Sequence, residues 1–429
     1  MKQWIIARRE LVTWLLFTLF GIVAGLFTFI HAAGILIPFF LAVGYVMFRN
    51  YPEMLLPLYV FSGFYKSVIP GPDLTVVLFG LALLAAFFKM YREREDVLPR
   101  FRSVSIFTML LFLFWMMLSL IYTDSNGPAI EKAVKVLLLT GGAFFLPLIL
   151  VDSQKKYANV LLAIVSLGTI MSVVSVVTGA RTVFGSNYLS LGFISSLSVL
   201  IFLFYFYPKT KHWLVWIAIV INVVGMVHSA ARAPIFFLPL TVIVVVAVSK
   251  LKLQKKMKLY VGFVLLFFVL LTALYVAIPS SFELLITRLS AIEDAQGDDN
   301  ARYRTYHVEQ AMNLIRTHPL TGVGIGAYGI EVEGIDERLY PHNIFLEIGA
   351  ELGIPGVILF TLLLIQVMSY YFFHRGNVAY VDHTLLACVL YSFINTLKAG
   401  NLVDNRIFFL FLGIVLITGN IFTERRGEE

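Results

Sequence analysis

VSIFTMLLFLFWMMLSLI, residues 104–121, contains no charged side chain. A helix of that length rises about 27 Å, and the hydrocarbon core of a bilayer is about 30 Å thick. The run therefore reads as a membrane span. Working outward from it, similar runs lie at 54–69, 74–88, 134–151, 160–177, 188–207, 213–227, 235–248, 259–278, 344–373, 384–397 and 407–422. The stretch 11–48 is too long for one crossing and is broken near His31–Gly34, so it reads as a two-helix hairpin. The expectation is an all-α polytopic membrane protein of about 12–14 transmembrane helices, with one large, partly helical external loop.

Composition agrees. Of 429 residues, 59% are hydrophobic and only 14% charged, against about 25% charged in ordinary soluble domains. That excludes a water-soluble enzyme, a disordered chain and a collagen-like one. The one cysteine excludes a disulfide framework or a multi-cysteine metal site. The formal charge of +7 is explained by position. Lys2, Arg8, Arg9, Arg49, Lys89, Arg92, Arg94, Arg100, Arg102, Lys155, Lys156, Lys209 and Lys211 fall on alternate loops, as do the lysines at 250–258, Arg375, Arg425 and Arg426. These are 21 of the 33 basic residues, and short cytoplasmic loops collect such residues. Both termini and the 250–258 cluster are therefore expected in the cytoplasm, with no nucleic-acid partner. No cleavable signal peptide is expected, because the first helix lacks a small-residue cleavage site.

The division expected is 1–278 for the N-terminal helices, 279–341 for the external loop and 342–429 for the C-terminal helices. Tyr303, Tyr306, Met312, Leu314 and Ile315 recur at helical spacing within the loop. Its five basic residues, Arg288, Arg302, Arg304, Arg316 and Arg338, are all arginine, whose rigid fork matches phosphate and carboxylate bidentately. Glu293, Asp294, Asp298 and Asp299 read as an exposed acidic turn, since they lack a calcium-loop pattern. Among the histidines, His31, His212, His307, His374 and His383 show no metal-ligand spacing.

The stretch from Arg302 to Gly356 carries the densest set of motifs. An arginine-bearing helix precedes His318-Pro-Leu-Thr-Gly-Val-Gly-Ile-Gly326, then Pro341-His342-Asn343, then Glu347 and Glu351-Leu-Gly353-Ile-Pro-Gly356. Gly324-Ile-Gly326-Ala-Tyr-Gly329 formally matches a dinucleotide fingerprint, but follows no strand and opens no βαβ unit, so that reading is rejected. The glycines instead fit a tight backbone turn beneath a site. His342 sits where the loop enters a membrane helix, and with a reference pKa near 6.5 it can take a hydroxyl proton at neutral pH; an interfacial or helix-capping histidine is the plainer alternative. Arg232, in His228-Ser-Ala-Ala-Arg232-Ala-Pro234, either neutralises charge on a departing phosphate or snorkels to the interface. Glu347 and Glu351 share one helix face with Asn343 one turn earlier. That face either binds substrate hydroxyls or orients His342, or packs as a polar stripe against the loop.

This combination resembles the O-antigen polymerase and ligase family of the Wzy and WaaL type. The family pattern is an Arg (here Arg304 or Arg302), a Pro-x-x-Gly-x-Gly turn (Pro319 to Gly324), a His-Asn pair (His342-Asn343) and Glu-x-Gly-x-x-Gly opening a helix (Glu351 to Gly356). The small-residue turn ending in Arg232 is similar to a further family element, and the family-like region runs over about 229–422. The resemblance implies a GT-C-like glycosyltransferase in the bacterial inner membrane. Such an enzyme moves a glycan from an undecaprenyl-pyrophosphate carrier to an acceptor sugar, inverting the anomeric centre without metal or cofactor.

It implies polymerisation of a surface polysaccharide, or alternatively ligation of O-antigen to lipid A-core. His342, Arg232 and Arg304 are the implied catalytic groups, with Arg288, Arg302, Asn343, Glu347, Glu351, Gly322 and Gly324 contacting substrate. The implied partners are the lipid-linked oligosaccharide, the acceptor glycan, membrane lipids and a chain-length regulator. A lipid-oligosaccharide flippase or solute transporter is the rival class. Against it, polar chemistry collects at one face, whereas transporters place their sites at midplane within internal repeats.

Overall fold

A computed structural model describes residues 18, 50–65, 73–249, 251–277, 279–290, 299–374, 379–398 and 400–418. Apart from Thr18, the expected hairpin at 11–48 lies outside these residues, as do both terminal basic clusters and most of the acidic turn. Every described element is helical. The longer ones are α1 (Leu74–Arg92), α2 (Val104–Leu118), α3 (Gly127–Lys135), α4 (Gly141–Leu150), α5 (Gln154–Thr178), α6 (Tyr188–Ile201), α7 (Trp213–His228) and α8 (Arg232–Val248). They continue as α9 (Leu253–Ala277), α10 (Pro279–Ser290), α11 (Asp299–Thr317), α12 (Tyr328–Glu333), α13 (Ile344–His374), α14 (Ala379–Thr396) and α15 (Arg406–Val415). A π-helical turn, Val136–Thr140, joins α3 to α4 into one span.

Among the described residues, six helices are long and apolar enough to cross a membrane: Leu74–Arg92, Val104–Ile121, Gly127–Leu150, Gln154–Thr178, Tyr188–Thr210 and Ile344–Phe373. Four more apolar helices are shorter, Trp213–His228, Arg232–Val248, His383–Thr396 and Arg406–Val415. The chain is an all-α polytopic membrane protein. The expected run at 54–69 is not continuous. It breaks into Pro52–Met54, Leu55–Val60 and Ser62–Phe64, where the Ser62 hydroxyl donates to the Tyr59 carbonyl at 2.7 Å and Gly63 follows. Serine competing for backbone acceptors next to glycine ends a helix.

Two compact units share the chain. The first comprises Met1–Leu81, Lys155–Ser290 and Asn377–Tyr391; the second comprises Ala82–Gln154, Ala291–Gly376 and Ser392–Glu429. In the first, α6 packs on α7 and on α8. Small residues make this possible: at Gly192 a Cβ would lie 2.8 Å from Ser229 Oγ and 2.9 Å from Pro234 Cγ. In the second, α13 packs against α2 and α11, and α15 lies along α4. The loop residues 299–341 fold onto this unit, with Ala311, Leu314, Val323, Ala327, Tyr328 and Ala350 forming a buried apolar cluster. The helical part expected from Tyr303 to Ile315 is α11.

Candidate active site

The site is built on a break in α13. Gly353 has φ 68° and ψ −173°, which interrupts the helix, and Pro355 two residues on has no N–H to donate. A broken helix frees carbonyl acceptors that must be satisfied elsewhere. The Ala350 carbonyl accepts from Val323 N–H and the Glu351 carbonyl from Gly324 N–H, both at 2.9 Å. The Leu352 carbonyl takes the Trp115 indole N–H at 2.9 Å. In return Ile354 N–H donates to the Pro319 carbonyl at 2.7 Å. The Pro319–Gly324 turn and the Glu351–Gly356 segment are therefore the two halves of one interlock.

Gly322 (φ 64°) shows how tight the fit is, since a Cβ there would lie 2.4 Å from the Glu351 carbonyl carbon. At Gly324 it would meet Thr123 Cβ at 2.6 Å. These two glycines, expected to touch substrate, are spent on packing the chain against itself.

Beneath the interlock lies an ion triad that the sequence reading missed. Lys132 Nζ sits 2.5 Å from Glu347 Oε1 and 2.7 Å from both carboxylate oxygens of Glu351. Lys132 is 5% exposed and each glutamate 1%. The second Glu347 oxygen accepts from Leu402 N–H at 2.9 Å, fixing the segment before α15. The expected common face of Glu347 and Glu351 exists, but it is closed by Lys132 rather than open to sugar. A lysine near the start of a long apolar span was the available signal, because intramembrane ionisable residues rarely lack a partner.

His342 stands just ahead of α13 in the left-handed region, at φ 57°. Non-glycine residues seldom occupy that region, and they concentrate where surrounding structure holds them for a purpose. Asn343 supplies part of that hold. Its Oδ1 accepts from Phe345 and Leu346 N–H at 3.0 and 3.3 Å, and its Nδ2 donates to the Leu397 carbonyl at 3.1 Å. It is thus a helix N-cap, not a group free for substrate.

The His342 ring is half-buried against Tyr340, with centroids 4.6 Å apart. Burial, and then the neighbouring positive charges of Arg304 and His307, push its proton affinity below that of ordinary histidine.

His307 was read as lacking ligand spacing, and it has another role. It is buried, its Nδ1 lies 3.1 Å from the Tyr328 hydroxyl, and that hydroxyl donates to the His307 carbonyl at 2.8 Å. Tyr303, Arg304 and His307 occupy one face of α11 at i, i+1 and i+4. The structure therefore brings together Arg304, His307, Tyr340 and His342. Arg302 is exposed on the same helix. His318 is exposed beside Thr317 and does not join the cluster.

Arg232 belongs to the first unit, at the start of α8. Ala230 at φ 52° makes the turn before it, and the Ser229 hydroxyl ties that turn to the Met226 carbonyl at 2.6 Å. Arg288 lies on α10, in the same unit.

The apolar helices long enough to span a bilayer define a multi-pass membrane protein. Residues 217–361 match the family model described as O-Antigen ligase. The matched stretch holds Arg232, Arg288, Arg302, Arg304, the glycine interlock, His342, Asn343, Glu347 and Glu351. It starts before the expected 229 and ends well short of 422. No curated protein matches the chain.

Proposed function

We propose that the chain is a glycosyltransferase that moves a glycan from an undecaprenyl-pyrophosphate carrier to an acceptor-sugar hydroxyl on the outer face of the bacterial cytoplasmic membrane. The observation that carries this reading is His342: oriented by a helix cap, half-buried, and biased toward its neutral, proton-accepting form. In the reaction, a His342 nitrogen takes the hydroxyl proton as the acceptor oxygen bonds to the anomeric carbon. The bond from that carbon to the phosphate oxygen breaks, and the electron pair leaves with undecaprenyl pyrophosphate. Arg304 neutralises the charge that develops on the leaving group, the role that the sequence resemblance also gives Arg232. Attack opposite that group inverts the anomeric centre, and no step requires a metal or cofactor.

The preferred acceptor is another lipid-linked repeat unit, which makes the enzyme a polymerase and a chain-length regulator its natural partner. Lipid A-core is the second acceptor, favoured by the family description O-Antigen ligase. General-base catalysis contributes typically about 10²–10⁴-fold. His342→Ala should lower kcat by about that factor at saturating donor while leaving the melting temperature near wild type. His318→Ala, outside the cluster, should remain near wild type. Normal turnover by His342→Ala, or equal loss from both substitutions, contradicts the assignment.

A further inference from the structure

A cavity of about 400 Å³ opens beside the triad, walled by Glu131, Lys132, Lys135, Asp336, Glu337 and Arg338. It falls within the size range of small-molecule sites, and nothing in the interlock or the His342 cluster fills it. Two features narrow its occupant. The first is charge. Three cations face three carboxylates, and the cations already have anionic partners: Lys132 holds Glu347 and Glu351, Lys135 pairs with Glu131, and Arg338 lies 2.8 Å from Asp404. Asp336 accepts from the Ser125 hydroxyl at 2.6 Å and from Asn126 N–H at 3.2 Å. A pyrophosphate finds no uncompensated cation there, whereas an uncharged polyhydroxyl compound finds donors and acceptors in balance.

The second feature is place. Asp336, Glu337 and Arg338 sit on the same short loop as Tyr340 and His342. Tyr340 packs on the His342 ring, and its proton affinity is raised by burial first and then by the charge of Asp404, the partner of Arg338. Tyr340 thus lies two residues beyond the cavity-lining Arg338 and packs on the ring of His342.

We infer that this cavity is the subsite for uncharged sugar units of the acceptor glycan, holding them while the terminal hydroxyl meets His342. The inference rests on the glycosyl-transfer reading above. Glu337 is the residue to probe, because its carboxylate lines the cavity and is exposed, so its loss should spare the fold. The probe is the neutral repeat-unit oligosaccharide, freed of its carrier pyrophosphate by mild acid.

Its binding is measured on purified His342→Ala protein, which the reading makes inactive, with and without Glu337→Ala. A hydrogen bond to a charged group contributes enough that Glu337→Ala should weaken binding by about 10-fold. In the otherwise wild-type enzyme the same change should raise acceptor KM by about that factor, with kcat and donor KM within about twofold. Inorganic pyrophosphate should not displace the oligosaccharide. Unchanged binding, displacement by pyrophosphate, or a rise in donor KM instead of acceptor KM overturns the inference. If His342→Ala still transfers glycan while Glu337→Ala loses binding, the catalytic assignment fails and the cavity assignment stands.

Discussion

His342 combines two properties that a base at neutral pH needs: a fixed ring and a depressed proton affinity. The sign of the pH effect follows directly. Because burial, Arg304 and His307 disfavour the imidazolium, the neutral form persists below the pH at which ordinary histidine becomes charged. Then kcat should rise with pH through a midpoint under about 6.5 and level off above it. Arg304→Gln should move that midpoint upward by removing a cation, apart from its effect on rate. A kcat–pH profile flat from pH 5 to 8 would exclude His342 as the base.

Arg232→Lys should not restore activity, since bidentate phosphate geometry is lost even though the charge is kept; near wild-type turnover by that variant would make Arg232 an interfacial anchor. The place of His342 just ahead of α13 was legible in the sequence, because a His-Asn pair before an apolar run is a local signal. Lys132 was not, because its glutamates lie 219 and 215 positions away, a pairing that only the fold creates.

Helix breaks carry as much information here as the helices. Long apolar runs such as 104–121 were readable because length and hydropathy alone define a span. The interlock was readable only as a recurrence of glycine and proline, since which carbonyls they free depends on the partner segment. Gly322→Ala would place a Cβ against the Glu351 backbone at positive φ, so it should destabilise the purified protein by about 1–3 kcal/mol. Thermal unfolding in detergent reads this, and an unchanged transition would mean that the interlock is looser than described.

The triad gives a second test at this scale. Lys132→Met strands two buried carboxylates, and breaking a buried ion pair costs about 3–5 kcal/mol. Adding Glu347→Gln and Glu351→Gln to that variant should recover part of the loss. No recovery would show that Lys132 acts other than by charge compensation.

Orientation in the membrane belongs to the whole molecule. The charge bias of the loops predicts the 250–258 cluster in the cytoplasm and the loop bearing α11 and α12 outside. Cys388, the only native thiol, is buried, so introduced cysteines report cleanly. In intact cells an impermeant maleimide should label Glu331→Cys and spare Lys255→Cys; the reverse pattern would invert the topology and remove His342 from the outer face.

The central claim is glycosyl transfer itself. The most direct test incubates purified wild-type protein in nanodiscs with a defined undecaprenyl-pyrophosphate oligosaccharide, with and without a core-lipid acceptor. Linkage stereochemistry and released carrier are then measured. The account predicts one sugar-free undecaprenyl pyrophosphate per new glycosidic bond, with the anomeric configuration of the donor inverted. Polymer formed without core lipid would mark the polymerase, and product formed only with it the ligase. Carrier that crosses the bilayer with its oligosaccharide intact, and no bond formed under either condition, would contradict the account and make the protein a transporter.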